Sequence, residues 1–208
     1  MINTANINFN IDIDEFVNFY LKTVNRNLNF LGTHSENVAI VSVALAKQMS
    51  FKCCDVKLLK YGSLLHDIGK LFMPAEILNA ARQLSYTEFE IIKTHTIAGY
   101  EALDNFTTIP KEIKTLAIKH HYRNSFGYPQ HIIYENKIDP LLIDILTVVD
   151  SFSAIMEPRV YKKPLNESQA LAIIKDPDND KNTGLNFEVL EALTYLVDND
   201  GINLKCFY

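Results

Sequence analysis

Apolar residues recur at three- and four-residue intervals along most of the 208-residue chain, the spacing of helix faces packed on a core. Asp14 is placed to cap a first helix that buries Phe16, Phe19, Tyr20 and Val24. Thr33 and Glu36 have the spacing of a capping box ahead of HSENVAIVSVALAKQM. Asp55 caps VKLLKYGSLLHDI, which stops at Gly69, and Pro74 suits the first turn of a short helix. Ser85 and Glu88 make a second capping box, opening SYTEFEIIKTHTIAGYEAL as one helix. Pro110 starts PKEIKTLAIKHH, and Asp139-Pro140 starts PLLIDILTVVDSFSAIM. Asn166 and Asn186 each precede a further periodic stretch. Alternating runs are few and no Asn-Gly or Asp-Gly hairpin occurs. The pattern predicts an all-α, single-domain helical bundle of about eight helices over residues 14–208, behind an N-terminal arm of residues 1–13.

Composition narrows the function classes. A hydrophobic fraction of 48% supplies a sizeable core, and a net charge of −5 argues against a nucleic-acid polymer as partner. No apolar run is long enough to span a bilayer, and the N-terminus lacks the basic start of a signal peptide. The expected setting is cytoplasmic, with no membrane partner. Cys53, Cys54 and Cys206 have neither disulfide-framework nor zinc-site spacing. The stretch DPDNDKNTG, from Asp176 to Gly184, reads as a solvated loop.

The six histidines change the picture. A lone histidine on an apolar helix is usually a satisfied core residue, but here two adjacent pairs stand out: His66-Asp67 in LLHDIGK and His120-His121 in HHYRNSFGYP. Neighbours on a helix diverge by about 100°. Such a pair does not easily share one ion, but it suits two ions about 3.5–4 Å apart. His34 lies at a helix start, His95 within a helix, and Asp150 in the apolar run LTVVDSF, where a carboxylate is costly unless it is paired or holds a metal.

These motifs together resemble the HD-GYP family of HD-domain metallophosphohydrolases, over about Gly32 to Tyr161. GTHSENVA resembles the first-ligand motif, LLHDIGKLFMPAEIL the core motif, and HTIAGYEAL the third. HHYRNSFGYP resembles the double-histidine and Gly-Tyr-Pro segment, and VVDSFSAIMEPRVYKKP the last. The resemblance implies metal ligands His34, His66, Asp67, His95, His120, His121 and Asp150, with Asp67 as the bridge. Two divalent ions, iron or manganese, suit this imidazole and carboxylate set without thiolate. The implied reaction is hydrolysis of cyclic di-GMP or a related cyclic dinucleotide to the linear dinucleotide. Asp67 and Lys70 are the catalytic residues, and Lys70 brings its charge to the phosphate or leaving group. Arg159, Lys162, Tyr128 and Arg123 are the implied substrate contacts; the basic pair reads equally as solvated loop charge. A diguanylate cyclase domain is the implied protein partner. His131 matches no ligand position.

The chain also departs from the family pattern. Tyr122 replaces a Glu after the double histidine, NSF stands where an Asp-Gly is expected, Ser153 replaces an Asp, and Val160 replaces a Pro. The stretch RNLNFLGT has no carboxylate, so two ions are expected and not three. The alternative reading is a metal-loaded, weakly active or inactive module that binds a cyclic dinucleotide or a cyclase partner. A third is a hydrolase for ordinary nucleotides, which the Gly-Tyr-Pro turn argues against.

Overall fold

The structure, a computed structural model, describes residues 11–123, 126–130, 138–157, 164–179 and 182–199. These contain ten α-helical segments and one 3-10 turn. They are α1 (Ile13–Asn27), α2 (Asn29–Gln48), α3 (Cys53–Leu65), the 3-10 turn Ile68–Phe72, α4 (Ala75–Leu78), α5 (Tyr86–Lys93), α6 (His95–Asp104), α7 (Lys111–Lys119), α8 (Pro140–Met156), α9 (Glu167–Ile174) and α10 (Phe187–Asn199). The all-α expectation holds, and the number of helices is higher than expected.

Several helix boundaries fall as the capping residues predict. Ser85 and Glu88 form a reciprocal capping box, as do Asn166 and Gln169, and Asp139 caps α8 just before Pro140. Others differ. Asp12, not Asp14, accepts from the free amides of α1, at 2.9 and 3.3 Å. Helix α2 begins at Asn29, so Thr33 and Glu36 lie inside it and form no cap. Phe19 is exposed, while Phe16, Tyr20 and Val24 are buried on the inner face of α1. The segment expected as one helix from Ser85 breaks at Thr94. Both the Thr94 amide and its hydroxyl bond the carbonyl of Ile91, at 3.1 and 2.7 Å, which tightens the turn.

Two hydrophobic clusters meet along α2. One joins Val41 and Leu45 to Leu146, Val149 and Phe152 of α8 and to Leu171 and Leu193 of α9 and α10. The other joins Leu31 and Ala39 to Phe16 and Tyr20 of α1, Leu65 of α3, Leu103 of α6 and Ile113 of α7. Burying a side chain such as Phe152 or Leu45 stabilises the fold by roughly 1.5–3 kcal/mol. Helix α8 is apolar nearly all round, as expected of a helix enclosed by neighbours, and Asp150 interrupts its buried surface.

Candidate metal centre

Seven side chains converge between the two clusters, and they are the seven expected ligands. His34 lies a turn inside α2, and Asp150 lies on α8. The others sit at helix ends: His66 and Asp67 just after α3, His95 as the first residue of α6, and His120 and His121 just after α7. Chain direction changes at each of these ends, and this lets adjacent residues face different parts of one site.

One local device recurs three times. His66 Nδ1 donates to the carbonyl of Ser63 at 2.7 Å, His95 Nδ1 to Ile92 at 2.7 Å, and His120 Nδ1 to Ala117 at 2.8 Å. Each acceptor is a carbonyl in the last turn of the preceding helix, where carbonyls lack intrahelical partners. The bond orients the ring and turns Nε2 toward the site as the atom that would take a metal. The C-terminal ends of α3, α5 and α7 also direct their partial negative charge here, which favours a cation.

The facing atoms form two groups. In one, His34 Nε2 lies 3.3 Å from His66 Nε2 and 3.0 Å from Asp150 Oδ1. In the other, His95 Nε2 lies 3.2 Å from His120 Nε2, with His121 completing the set. Asp67 lies between the groups. Its Oδ2 is 3.3 Å from His66 Nε2 and 3.7 Å from His34 Nε2. Its Oδ1 is 3.2 Å from His95 Nε2 and 3.7 Å from His120 Nε2. Asp67 is 1% exposed, and its Oδ1 has no hydrogen-bond partner. Asp150 also spans the site, with Oδ2 3.7 Å from His121 Nδ1.

Charge in the two groups differs. Burial opposes a charged imidazole at His34, but the Glu157 and Asp150 carboxylates overcome it and raise its pKa to about 10. At His66 burial is overcome by Asp67 and Asp150, and the pKa rises to about 9. Burial and the surrounding imidazoles push His120 well below its ordinary value, and burial with His95 and Lys70 takes His121 down to about 3. Burial alone would raise both carboxyls; Lys70 and His66 hold Asp67 well below the usual range, and His34 and His66 do so for Asp150. The residues fit metal ions on these grounds. Asp67, held ionised, turns an oxygen without a hydrogen-bond partner toward His95 and His120, whose Nδ1 bonds aim Nε2 at the same space, and a cation there would satisfy all three.

The 3-10 turn explains Lys70. Residues three apart eclipse in such a turn, and Lys70 Nζ lies 2.5 Å from Asp67 Oδ2. The helix therefore ends before His66 and not at Gly69, as the sequence suggests. Gly69 instead allows close approach, because a Cβ there would fall 1.8 Å from the His95 carbonyl oxygen and 2.6 Å from the Gly99 nitrogen.

The Gly-Tyr-Pro segment folds back under the double histidine. The Tyr128 amide bonds the His121 carbonyl at 2.9 Å, and its ring packs against that of His121, tilted by 36° with centroids 4.6 Å apart. The Tyr128–Pro129 bond is cis. Arg123 donates to Ser151 Oγ at 3.0 Å, which ties this loop to α8 beside Asp150. Arg159, Lys162 and His131 lie outside the described residues. Glu157, which the sequence reading missed, accepts a hydrogen bond from His34 Nδ1. Its spacing from Asp150, seven residues or two helical turns, was the available signal.

The HD domain family model matches residues 21–182. A cyclic di-GMP phosphodiesterase of Thermotoga maritima is 35% identical over 139 residues, covering 65% of this chain and 37% of the relative. The cyclic di-GMP phosphodiesterase PdeB of Borreliella burgdorferi is 30% identical over 160 residues, covering 76% of this chain and 42% of the relative. The chain thus spans about two fifths of the length of these relatives. The HD domain of the L. monocytogenes phosphodiesterase PgpH, solved in complex with cyclic-di-AMP, superposes with a TM-score of 0.61 at 21% identity. That match covers 90% of this chain and 98% of the other, and it supports the fold. With the HD pair, the double histidine and the Gly-Tyr-Pro segment set around one site, the chain belongs to the HD-domain family, in its HD-GYP branch.

Proposed function

We propose that the chain is a metal-dependent phosphodiesterase that hydrolyses cyclic di-GMP, or a related cyclic dinucleotide, to the linear dinucleotide at a binuclear centre. The observation that carries this reading is Asp67, whose two oxygens face two separate ligand groups. His34, His66 and Asp150 would hold one ion, and His95, His120 and His121 the other. Iron or manganese suits such a donor set. Two bound divalent ions supply a hydroxide near neutral pH and positive charge beside a phosphodiester.

The chain's own groups do the rest. Hydroxide adds at phosphorus, and one P–O bond to ribose breaks. This leaves a terminal phosphate monoester and a ribose hydroxyl. Lys70, next to Asp67, stabilises charge on the phosphoryl oxygens and gives a proton to the departing oxygen. Tyr128 holds the ring of His121 by packing against it. Arg159 and Lys162 grip the distal phosphate, Arg by a two-pronged contact and Lys as a point charge, and Arg123 and Tyr128 complete the substrate contacts. A diguanylate cyclase domain is the proposed protein partner. A cytoplasmic setting suits such a substrate, and no helix among the described residues is long and apolar enough to cross a membrane.

A panel of cyclic di-GMP, cyclic di-AMP, mixed cyclic dinucleotides and ordinary nucleotides tests the proposal with metal-replete protein. Linear dinucleotide should accumulate from at least one cyclic substrate, with little mononucleotide, because RNLNFLGT offers no carboxylate to hold a third ion. Cyclic dinucleotide bound but not hydrolysed by fully loaded protein would favour the binding-module reading, to which the replacement of Glu by Tyr122 points. Hydrolysis of ordinary nucleotides alone would replace the substrate class.

A further inference from the structure

Glu157 stands just past the end of α8, and Pro158 follows it in the sequence. A residue before proline is biased to the extended region, and Glu157 has φ −63° and ψ 138° there. Its amide still closes on the Ser153 carbonyl at 3.1 Å, so the backbone is held to the helix end. Asp150 and Glu157, two turns apart, face the same side of α8. Both reach His34: Asp150 Oδ1 meets Nε2 at 3.0 Å, and Glu157 Oε1 meets Nδ1.

His34 is unlike the other buried ligands. His66, His95 and His120 each donate Nδ1–H to a neutral backbone carbonyl in the preceding helix turn. His34 lies inside α2, where the carbonyls are already engaged by the helix, and it has no such acceptor nearby in sequence. A carboxylate from α8 takes that place. An oxygen acceptor on Nδ1–H orients the ring and fixes the tautomer that presents a lone pair at Nε2.

We infer that Glu157 is a positioning residue for the metal centre. It fixes His34 as the Nδ1–H tautomer and thereby sets the affinity of the half-site made by His34, His66 and Asp150, while the half-site of His95, His120 and His121 stays independent of it. The inference rests on the binuclear reading above. Glu157 acts through His34 and is not itself a ligand.

The test uses the full chain stripped of metal, the E157A and E157Q variants, and zinc as a diamagnetic probe in competition with a chromophoric chelator. The parent should show two binding steps. E157A should weaken one of them by about 10- to 100-fold and leave the other unchanged. E157Q keeps an oxygen acceptor for Nδ1–H and should bind close to the parent. In the metal-free chain, a downfield His34 Nδ1–H proton resonance should be present in the parent and E157Q and absent in E157A, with the thermal melt retained in all three. E157A matching the parent overturns the inference alone, as does a parent lacking the Nδ1–H resonance. E157Q as weak as E157A also overturns it, by marking Glu157 as a direct ligand. A parent that takes up no zinc overturns the proposed function and this inference together.

Discussion

His95 and His120 point their Nε2 atoms at each other across 3.2 Å, although each has Nδ1–H engaged by a carbonyl three residues upstream. With Nδ1–H so engaged, each ring in its neutral form turns a lone pair toward the other, with Asp67 Oδ1 beside them. A cation there, and a second one on the other side of Asp67, would relieve that contact.

Replacing Asp67 by Ala should remove the link between the two ligand groups and cost most of the bound metal, measured as ions per chain after gel filtration. The fold should persist, because the rings around the site keep their backbone hydrogen bonds. Full retention of both ions in D67A would show that Asp67 does not bridge.

Lys70→Ala should keep its metal and lose at least about tenfold in turnover, the size of one 1.4 kcal/mol interaction in the transition state. The ammonium contacts Asp67 but offers no lone pair to an ion. Parallel metal analysis and steady-state rates decide it. A parent-like rate removes the assigned role, and loss of metal makes Lys70 structural.

Metal uptake should release protons at neutral pH. His34 and His66, with pKa values raised to about 10 and about 9, hold protons at pH 7 in the metal-free site. Those protons must leave before Nε2 can bind an ion. Affinity in this half should therefore rise with pH, by up to about tenfold per unit for each proton displaced. Calorimetric titrations in buffers of different ionisation enthalpy should give different heats; buffer-independent heats would contradict the prediction.

Gly69→Ala should disturb the site through its backbone. The new Cβ meets the His95 carbonyl and the Gly99 amide, neither of which can swing aside as a side chain can. A destabilisation of roughly 1–3 kcal/mol is expected, with metal lost first from the half containing His95. A thermal melt with metal analysis checks it, and parent-like values in both would mean that the turn shifts freely.

Part of the clustered set was legible from chemistry, as two neighbouring pairs and a carboxylate in an apolar run, while His34 and His95 were picked out by the family resemblance. Helix ends with a reciprocal side-chain cap, at Ser85 and Asn166, were legible too. Thr33 and Glu36 misled because the same spacing recurs inside a helix whose true start, after Leu28, has no side-chain cap. The break at Thr94 was hidden because a threonine hydroxyl can close on a carbonyl with no Gly or Pro to mark it. The bond from His34 to Glu157 joins residues 123 apart in the chain, and only the seven-residue spacing of Glu157 from Asp150 hinted at it. The sequence offered Tyr128 as a substrate contact; the structure also sets its ring against that of His121.

The binuclear reading is tested most directly by anomalous diffraction from crystals of the metal-loaded chain, recorded at the absorption edge of the bound metal. Two peaks about 3.5–4 Å apart are expected, one beside His34, His66 and Asp150 and one beside His95, His120 and His121, with an Asp67 oxygen on each. A single peak, or a third held by protein ligands, would contradict it.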